Sequence, residues 1–472
     1  MCIMTLKDYK AVSPFLFFYL SLTFFVSGNS FFWDTIQLGS SQAHWFYDND
    51  FQYFFLPGNI DSGHPPLFGF YLAILWKFFG RTLEVSHFAM LPFLFGIVIQ
   101  IYILLKKFFE EKYIVFILLL LLSDPTLLAQ SILVSPDIIL VFFFLLSLNS
   151  LLQNKKPLLV ISLIFLAMIS MRGMMHVVII FLFNIFNIYL QEGKIILKRL
   201  SMILSYIPAG FIAGLWLYLH FLHTGWVGYH DDSPWSGCFQ PVDMKGLFRN
   251  IFIFGWRMID FGRIIIWILA IPVIYYSVKR SLFDENSKRL FGIFVISIVV
   301  LIPNMILHTN LLGHRYLIII YFLFALLIFY QIRLLNPNLI KRLSLLAVFI
   351  LLCGNLLVYP EGIAQGWDSS LAHYPYYKLR KEMMEFIKNE KIPYNEVGTA
   401  FPNNVNIRFI DLGDSSYCFT NKDVKKNKYV FYSHIFNDFT NEEIEELKKW
   451  PIIKRIKSLT VEVILYKNPA EL

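Results

Sequence analysis

An all-α polytopic membrane protein carrying a small α/β C-terminal extracytoplasmic domain is the fold class the sequence predicts, on three observations. Of 472 residues, 57% are hydrophobic, 18% aromatic and only 16% charged, whereas a soluble domain carries roughly 25% charged residues. Apolar runs recur from residue 11 to residue 359, and a membrane span needs about 20 such residues. Beyond Tyr359 the composition turns to Lys, Glu, Asn and Tyr with no spanning run. A soluble globular enzyme, a disordered chain and a fibrous chain are thereby excluded. The net charge of +8 reads as Lys/Arg retained on the cytoplasmic side of a membrane, and nothing signals nucleic acid. The four cysteines (Cys2, Cys238, Cys353, Cys418) have no CxxC spacing for a zinc or redox motif. Cys238 and Cys418 both fall outside, where a disulfide and two free thiols stay open.

The first apolar run, Ser13 to Val26, has no small-residue cleavage site and is followed by bulky Phe31, Phe32 and Trp33, so it is expected to remain as the first span. Further spans are expected near 84–105, 113–131, 137–153, 157–175, 176–191, 200–220, 264–278, 290–311, 316–332 and 343–359. The connections alternate in character. One set is short and basic: Lys7 and Lys10; Lys106, Lys107 and Lys112; Lys155 and Lys156; Lys194, Lys198 and Arg199; Lys279, Arg280, Lys288 and Arg289; Arg333, Lys341 and Arg342. The positive-inside rule makes that set cytoplasmic. The other set (32–83, 221–263 and everything after 360) is long and aromatic. Residues 65–80 are apolar but short and broken by Pro65 and Pro66; if they spanned, every later basic loop would invert. They are expected at the membrane surface or re-entering from outside, as is 246–263, whose apolar stripe Arg249, Arg257 and Arg263 interrupt. The expected result is about eleven spans, N-terminus inside, with a membrane domain over 1–359 and a small outer domain over 360–472. In the latter, 376–391 reads as an amphipathic helix, 428–436 and 461–468 as strands, and Thr440 as the N-cap of a helix, three residues before Glu443. There is no internal or inverted repeat of the kind secondary transporters show.

Unusual polar residues collect on the outer side. Trp33-Asp34 follows the first span directly. Then come Gln37, His44, Asp48, Asp50 and Asp61, His64-Pro65-Pro66-Leu67, Ser123-Asp124-Pro125, Asp137, Arg172-Gly173 with His176, His230-Asp231-Asp232, and Asn304, His308, Thr309 and Asn310 before His314-Arg315-Tyr316. Ionisable groups at a membrane boundary are costly and face a cavity or a partner. Carboxylates can act as base or bind hydroxyls, arginines hold phosphate bidentately, and aromatics pack on sugar rings and prenyl chains. The combination suits a sugar–phosphate on a lipid. Bland alternatives stand beside it: Asp34 as an interfacial cap, Asp137 as the N-cap of its span, Asp124 as a helix-end turn, Arg172 and Arg315 snorkelling to headgroups. His44, Asp48, Asp50, Asp61, His64, His230, Asp231 and Asp232 leave a divalent metal open, though their spacing fits no fixed ligand motif.

In this order, these pieces resemble the GT-C superfamily of membrane glycosyltransferases, in particular the protein O-mannosyltransferase and lipid A aminoarabinose transferase branch. The matching pieces are Asp34, His64 to Leu67, Phe79-Gly80, Pro125 with Asp137, Arg172-Gly173 and Arg315-Tyr316. There are departures: Trp-Asp-Thr stands where the family often has Asp-Glu, and the mannosyltransferases' β-trefoil domain is absent. The resemblance implies a GT-C-like fold, a polyprenyl-phosphate-linked sugar donor and transfer with inversion at the outer face. The acceptor is left open between lipid, glycan and protein. It implies Asp34 as catalytic base, Asp137 as catalytic in orienting the acceptor or a partner, and Arg172, His64, His314, Arg315 and Tyr316 as substrate-binding. No cofactor is required. Two other functions are carried alongside: a flippase or transporter of lipid-linked sugars, and an O-antigen ligase or polymerase. The expected location is the bacterial inner membrane, with site and C-terminal domain on the periplasmic side.

Overall fold

The computed structural model describes residues 5–193, 204–228, 230, 236–309, 312–360 and 362–471. Helices dominate as far as Gly354, and a five-stranded sheet organises the C-terminal section. Local chemistry sets the helix starts. Thr5 and Asp8 form a reciprocal capping box for Leu6–Val26, Ser170 caps Met171–Glu192, and Asp284 caps Glu285–Ile306.

Each segment expected to span holds a helix. By length and hydropathy six described helices qualify as spans, and eight do if each of two bent pairs is counted as one. Pro136–Leu152 and Lys156–Ile169 are 17 and 14 residues long, short against a hydrocarbon core of about 30 Å. The start of the expected 200–220 span, with Lys194, Lys198 and Arg199, lies outside the described residues, as do Cys2, Asp231, Asp232 and Asn310.

Two bends refine the expected layout. The segment 113–131 is not one straight rod: Glu111–Leu122 ends, and Pro125–Ser131 leaves at 72°. Pro125 forces the preceding residue out of the helical region, and Asp124 then caps the new helix through the backbone N–H groups of Thr126 and Leu127. At the second bend, Met244–Ile259 meets Ile264–Lys279 at 90°, as befits an amphipathic helix lying across the end of a bundle. Leu67–Phe79 is a 13-residue helix that buries Phe68, Leu72 and Trp76 on one face.

The two ends of the bundle differ chemically. At one, Lys7 pairs with Glu111, Lys106 with Asp8 at 2.8 Å, Lys107 donates to the Leu152 carbonyl at 3.1 Å, and Arg333 to that of Phe108 at 2.9 Å. The basic connections therefore sit together. The opposite end carries Asp34, Asp124, Asp137 and the α/β section.

In that section β1 (Val397–Thr399), β2 (Thr420–Asn421), β3 (Tyr429–Ser433), β4 (Ile452–Ser458) and β5 (Val461–Lys467) are ordered β2-β1-β3-β5-β4. β1 runs parallel to β2 and β3, while β5 is antiparallel to β3 and β4. Helix Pro375–Asn389 covers the sheet with Leu379, Met383 and Ile387. The expected helices and the two expected strands are present, the Thr440–Glu443 capping box included. The unexpected strands are β1 and β2, which are very short, and β4, an edge strand whose Lys454, Arg455 and Lys457 obscure any alternation. The section docks onto the bundle at several points. Arg408 pairs with Asp48 at 2.7 Å, the Phe31 amide donates to the Ile410 carbonyl at 2.9 Å, and Phe32 stacks on His373.

Single cysteines at Gly58 and Lys155, in a background with the native cysteines replaced by serine, are expected to react from opposite sides of an intact membrane. Labelling of both by one impermeant thiol reagent without permeabilisation would contradict this arrangement.

Candidate active site at the acidic end of the bundle

Asp34 is presented by an unusual stretch of backbone. After the first helix ends at Val26, Thr35 ties a turn shut: its hydroxyl donates to the Phe32 carbonyl at 2.7 Å and accepts from the Phe32 amide at 3.0 Å. Trp33, immediately before Asp34, has a φ of 53°, a conformation bulky residues avoid. A π-helical segment, Ile36–Ser41, follows directly. Both features recur at functional sites, where surrounding structure sustains local strain.

Asp137 lies in the first turn of Pro136–Leu152, but it does not cap that helix. Ser135 caps it, accepting from the Asp137 amide. This corrects the bland expectation for Asp137 and leaves its carboxylate to pair with Arg172, at 2.7 Å. Arg172 begins Met171–Glu192, right after Lys156–Ile169. Gly173 makes the tight junction possible: a Cβ there would stand 1.9 Å from the Leu166 carbonyl oxygen. The Arg172 guanidinium lies 4.1 Å over the Tyr316 ring.

Arg315 is the hub. It is carried on a 3₁₀ turn, His314–Leu317, that opens the last-but-one long helix. Its guanidinium contacts Asp34, lies 3.1 Å from Asp368 and 3.7 Å from Asp137, and donates to the Tyr316 hydroxyl at 3.1 Å. Five sequence-selected residues, Asp34, Asp137, Arg172, Arg315 and Tyr316, thus come together. His64 lines a small cavity with Asp137 and Arg172, held there by Asp61, which bonds the buried His220 at 2.9 Å and the Gly63 amide at 2.8 Å. Burial, and next the nearby Arg172, hold the His64 imidazole down at about 4, so it is neutral at pH 7 and offers a hydrogen bond rather than a charge.

His314 takes another place. Fully buried, it points its Nε2 at Asp260 Oδ2, 2.5 Å away. It belongs to an adjacent buried network in which Tyr359 donates to Asp260. Arg263 there grips Asp124 through two 2.8 Å bonds and reaches the Thr126 hydroxyl at 2.6 Å. Asp124, expected as a helix-end turn, instead caps the start of Pro125–Ser131 and is half of an ion pair with the buried Arg263. Four of the potential metal ligands have protein partners: Asp48 has Arg408, Asp50 has Lys77 at 2.5 Å, His44 the Ser40 carbonyl at 2.9 Å, and His230 that of Gly58 at 3.2 Å. Among the described residues no three His, Cys, Asp or Glu side chains converge as a metal site. Cys238, Cys353 and Cys418 are free thiols.

Asp368 was not among the expected residues. It sits in the 3₁₀ turn Trp367–Ser369 at the start of the α/β section. Gln130 donates to its carbonyl at 2.9 Å, and Thr126 to that of Ser369 at 3.0 Å. Burial raises its carboxyl above the ordinary range, with Arg315 opposing and Asp34 and Asp137 adding to the rise. The only hint in the sequence is that Trp367-Asp368 repeats the dipeptide Trp33-Asp34.

The whole fold has a counterpart among solved structures. It matches the crystal structure of ArnT from Cupriavidus metallidurans bound to undecaprenyl phosphate, over 97% of this chain and 98% of that one, with a TM-score of 0.56 and 11% sequence identity. No protein-family model and no curated protein sequence matches the chain.

Arg315→Gln is expected to leave Asp34 and Asp368 without a cation, Asp137 keeping Arg172, and cost about 3–5 kcal/mol, since removing one partner of a buried ionic cluster leaves the others uncompensated. Asp34→Asn removes one of several acids around a cation that keeps the rest, and should cost roughly 1–2 kcal/mol. Apparent unfolding midpoints in detergent check this order; equal losses would refute the hub role of Arg315.

Burial also holds His44 and His373 at about 4, like His64, against roughly 6.5 for an unfolded histidine. Between those values the unfolded chain binds more protons, so stability rises with pH. It is fully present above about 6.5 and is lost as pH falls toward 4. Thermal unfolding at pH 7.5, 5.5 and 4.5 should show a stepwise decline, and an unchanged midpoint would contradict neutral burial of these rings.

Proposed function

We propose that the chain is an integral membrane glycosyltransferase. In this reading it moves a sugar from a polyprenyl-phosphate-linked donor to an acceptor hydroxyl, with inversion, at the extracytoplasmic face of a bacterial inner membrane. The observation that carries the reading is Arg315, a buried cation on which Asp34, Asp137 and Asp368 converge beside Arg172. The undecaprenyl phosphate named with the similar ArnT structure is in keeping with a prenyl-phosphate donor. Basic loops at the opposite end of the bundle support an outward-facing site.

The chemistry follows from the charges. Three carboxylates against two guanidiniums leave no spare positive charge, so a donor phosphate binds by exchange: it takes guanidinium contacts that carboxylates hold in its absence. The arginine fork suits a phosphate as well as a carboxylate. When Arg315 turns to phosphate, Asp34 loses its partner and is released as a base. The acceptor oxygen then attacks the anomeric carbon from the face opposite the phosphate. The sugar–phosphate C–O bond breaks with its electron pair leaving on the phosphate, and the acceptor proton passes to Asp34. Arg172 and Arg315 stabilise the departing charge, and neutral His64 can donate a hydrogen bond. A phosphate leaving group needs no strong general acid.

The test is transfer of radiolabelled sugar from a polyprenyl-phosphate donor by the purified, reconstituted chain. Asp34→Asn should lower the rate about 100-fold or more while the protein stays folded. Arg172→Gln should weaken donor binding. Translocation of the donor without transfer would replace this reading with a flippase.

A further inference from the structure

The short helix Pro125–Ser131 supports the ionic cluster from behind. Thr126 and Gln130 lie one turn apart on it and share a face; both are buried, as is Ser369. Thr126 donates its hydroxyl to the Ser369 carbonyl at 3.0 Å. The Gln130 amide nitrogen donates to the Asp368 carbonyl at 2.9 Å and stands 3.4 Å from Oδ2 of the same residue. That oxygen is the one Arg315 meets at 3.1 Å. The turn bearing Asp368 is thus held at two successive carbonyls. The far end of Gln130 is committed too: its Oε1 accepts from the Ser135 hydroxyl, and Ser135 caps the helix that carries Asp137.

Arg263 ties the same helix to the Arg315 turn. It bonds Asp124 and the Thr126 hydroxyl at the helix start, and its Nη1 lies 3.4 Å from Asp260. Asp260 meets Nε2 of His314, the residue directly before Arg315, at 2.5 Å. Cation and acid are therefore placed from one frame, through Asp260 and His314 on one branch and through Thr126 and Ser369 on the other. A carboxylate on a loose turn would have to be ordered each time it met Arg315. Here that freedom is lost on folding, so Asp368 competes for the guanidinium as a pre-placed group.

Charge says where such a competitor acts. A sugar–phosphate–prenyl donor is a singly charged diester. The polyprenyl phosphate left after transfer is a monoester of about −1.5 to −2 at pH 7, so it holds the guanidiniums harder than the donor did. Release of product is then the step that needs help, as in many enzymes. We propose that Thr126 and Gln130 are positioning residues that keep Asp368 set against Arg315, and that Asp368, on returning to the guanidinium, expels the polyprenyl phosphate product. This rests on the glycosyltransferase reading. The step is an exchange of anions: the phosphate gives up N–H contacts of Arg315 and leaves with its lipid, the Asp368 carboxylate takes them, and no covalent bond changes.

The experiment titrates undecaprenyl phosphate against the full chain in phosphatidylcholine nanodiscs, with native mass spectrometry as the readout. Thr126→Val and Gln130→Met should bind it about fivefold more tightly, the scale of one hydrogen bond, whereas damage to the site would weaken binding. Thr126→Ser, which keeps the hydroxyl, should restore the wild-type affinity. Asp368→Asn should also bind more tightly, and adding Thr126→Val to it should bring no further gain, because both changes remove the same competitor. In the transfer assay, kcat and KM of Thr126→Val should fall together, as slow release lowers both. Weaker or unchanged binding in Thr126→Val and Gln130→Met, or a gain that adds to that of Asp368→Asn, overturns the inference. Arg315→Gln separates it from the reading beneath: if that change abolishes binding, the phosphate site stands whatever the other variants show, and if binding ignores it, both fall.

Discussion

The contact between Arg315 and three carboxylates from distant parts of the chain is the constraint on which the architecture turns. Asp34 comes from the first connection, Asp137 from the start of a buried helix, Asp368 from the head of the α/β section. Asp34 and Asp368 depend on this cation, whereas Asp137 also has Arg172, and a lone buried guanidinium would be equally costly. The fold therefore has to bring all of them together at once. The neighbouring Arg263–Asp124–Asp260–His314 network applies the same principle a few residues away. Together they make the acidic end of the bundle a dense, mutually compensated set of charges roofed by the C-terminal section.

That arrangement has a functional consequence. An ionic cluster satisfied by its own members is closed to an anion until one contact is exchanged. In the proposed reaction the exchange couples donor arrival to release of the base, so an idle site does not hold an activated carboxylate. The left-handed Trp33 and the π-helical turn Ile36–Ser41 flank Asp34 and fix its place beside Arg315. Asp368 links the same cluster to the α/β section.

Much of the helical layout was legible because a bilayer imposes strong, simple signals: long apolar runs, Lys/Arg on one side, prolines where helices break. Charge alternation sets the 65–80 and 246–263 segments outside the span count; the first holds a 13-residue helix, the second a helix bent 90° from Ile264–Lys279. Five residues of the candidate cluster stand out in the sequence as polar groups at a membrane boundary. What stayed hidden depends on long-range pairing. His314 and Arg315 are adjacent in sequence yet face different networks, since a 3₁₀ turn separates their directions. Asp137 looked like a cap because Ser135, two residues earlier, does the capping. Asp368 lies in a region whose composition reads as a soluble domain, where an acid is unremarkable. β4 was masked by the charged side chains that protect an edge strand.

The most direct measurement is a cryo-electron microscopy structure of the chain in nanodiscs with a bound polyprenyl phosphate. The expected density places the phosphate against Arg315 and Arg172, with the Asp34 carboxylate withdrawn from the guanidinium it holds in the empty site. A phosphate seated elsewhere on the bundle, with Arg315 still bound by all its carboxylates, would contradict the exchange on which the catalytic reading depends.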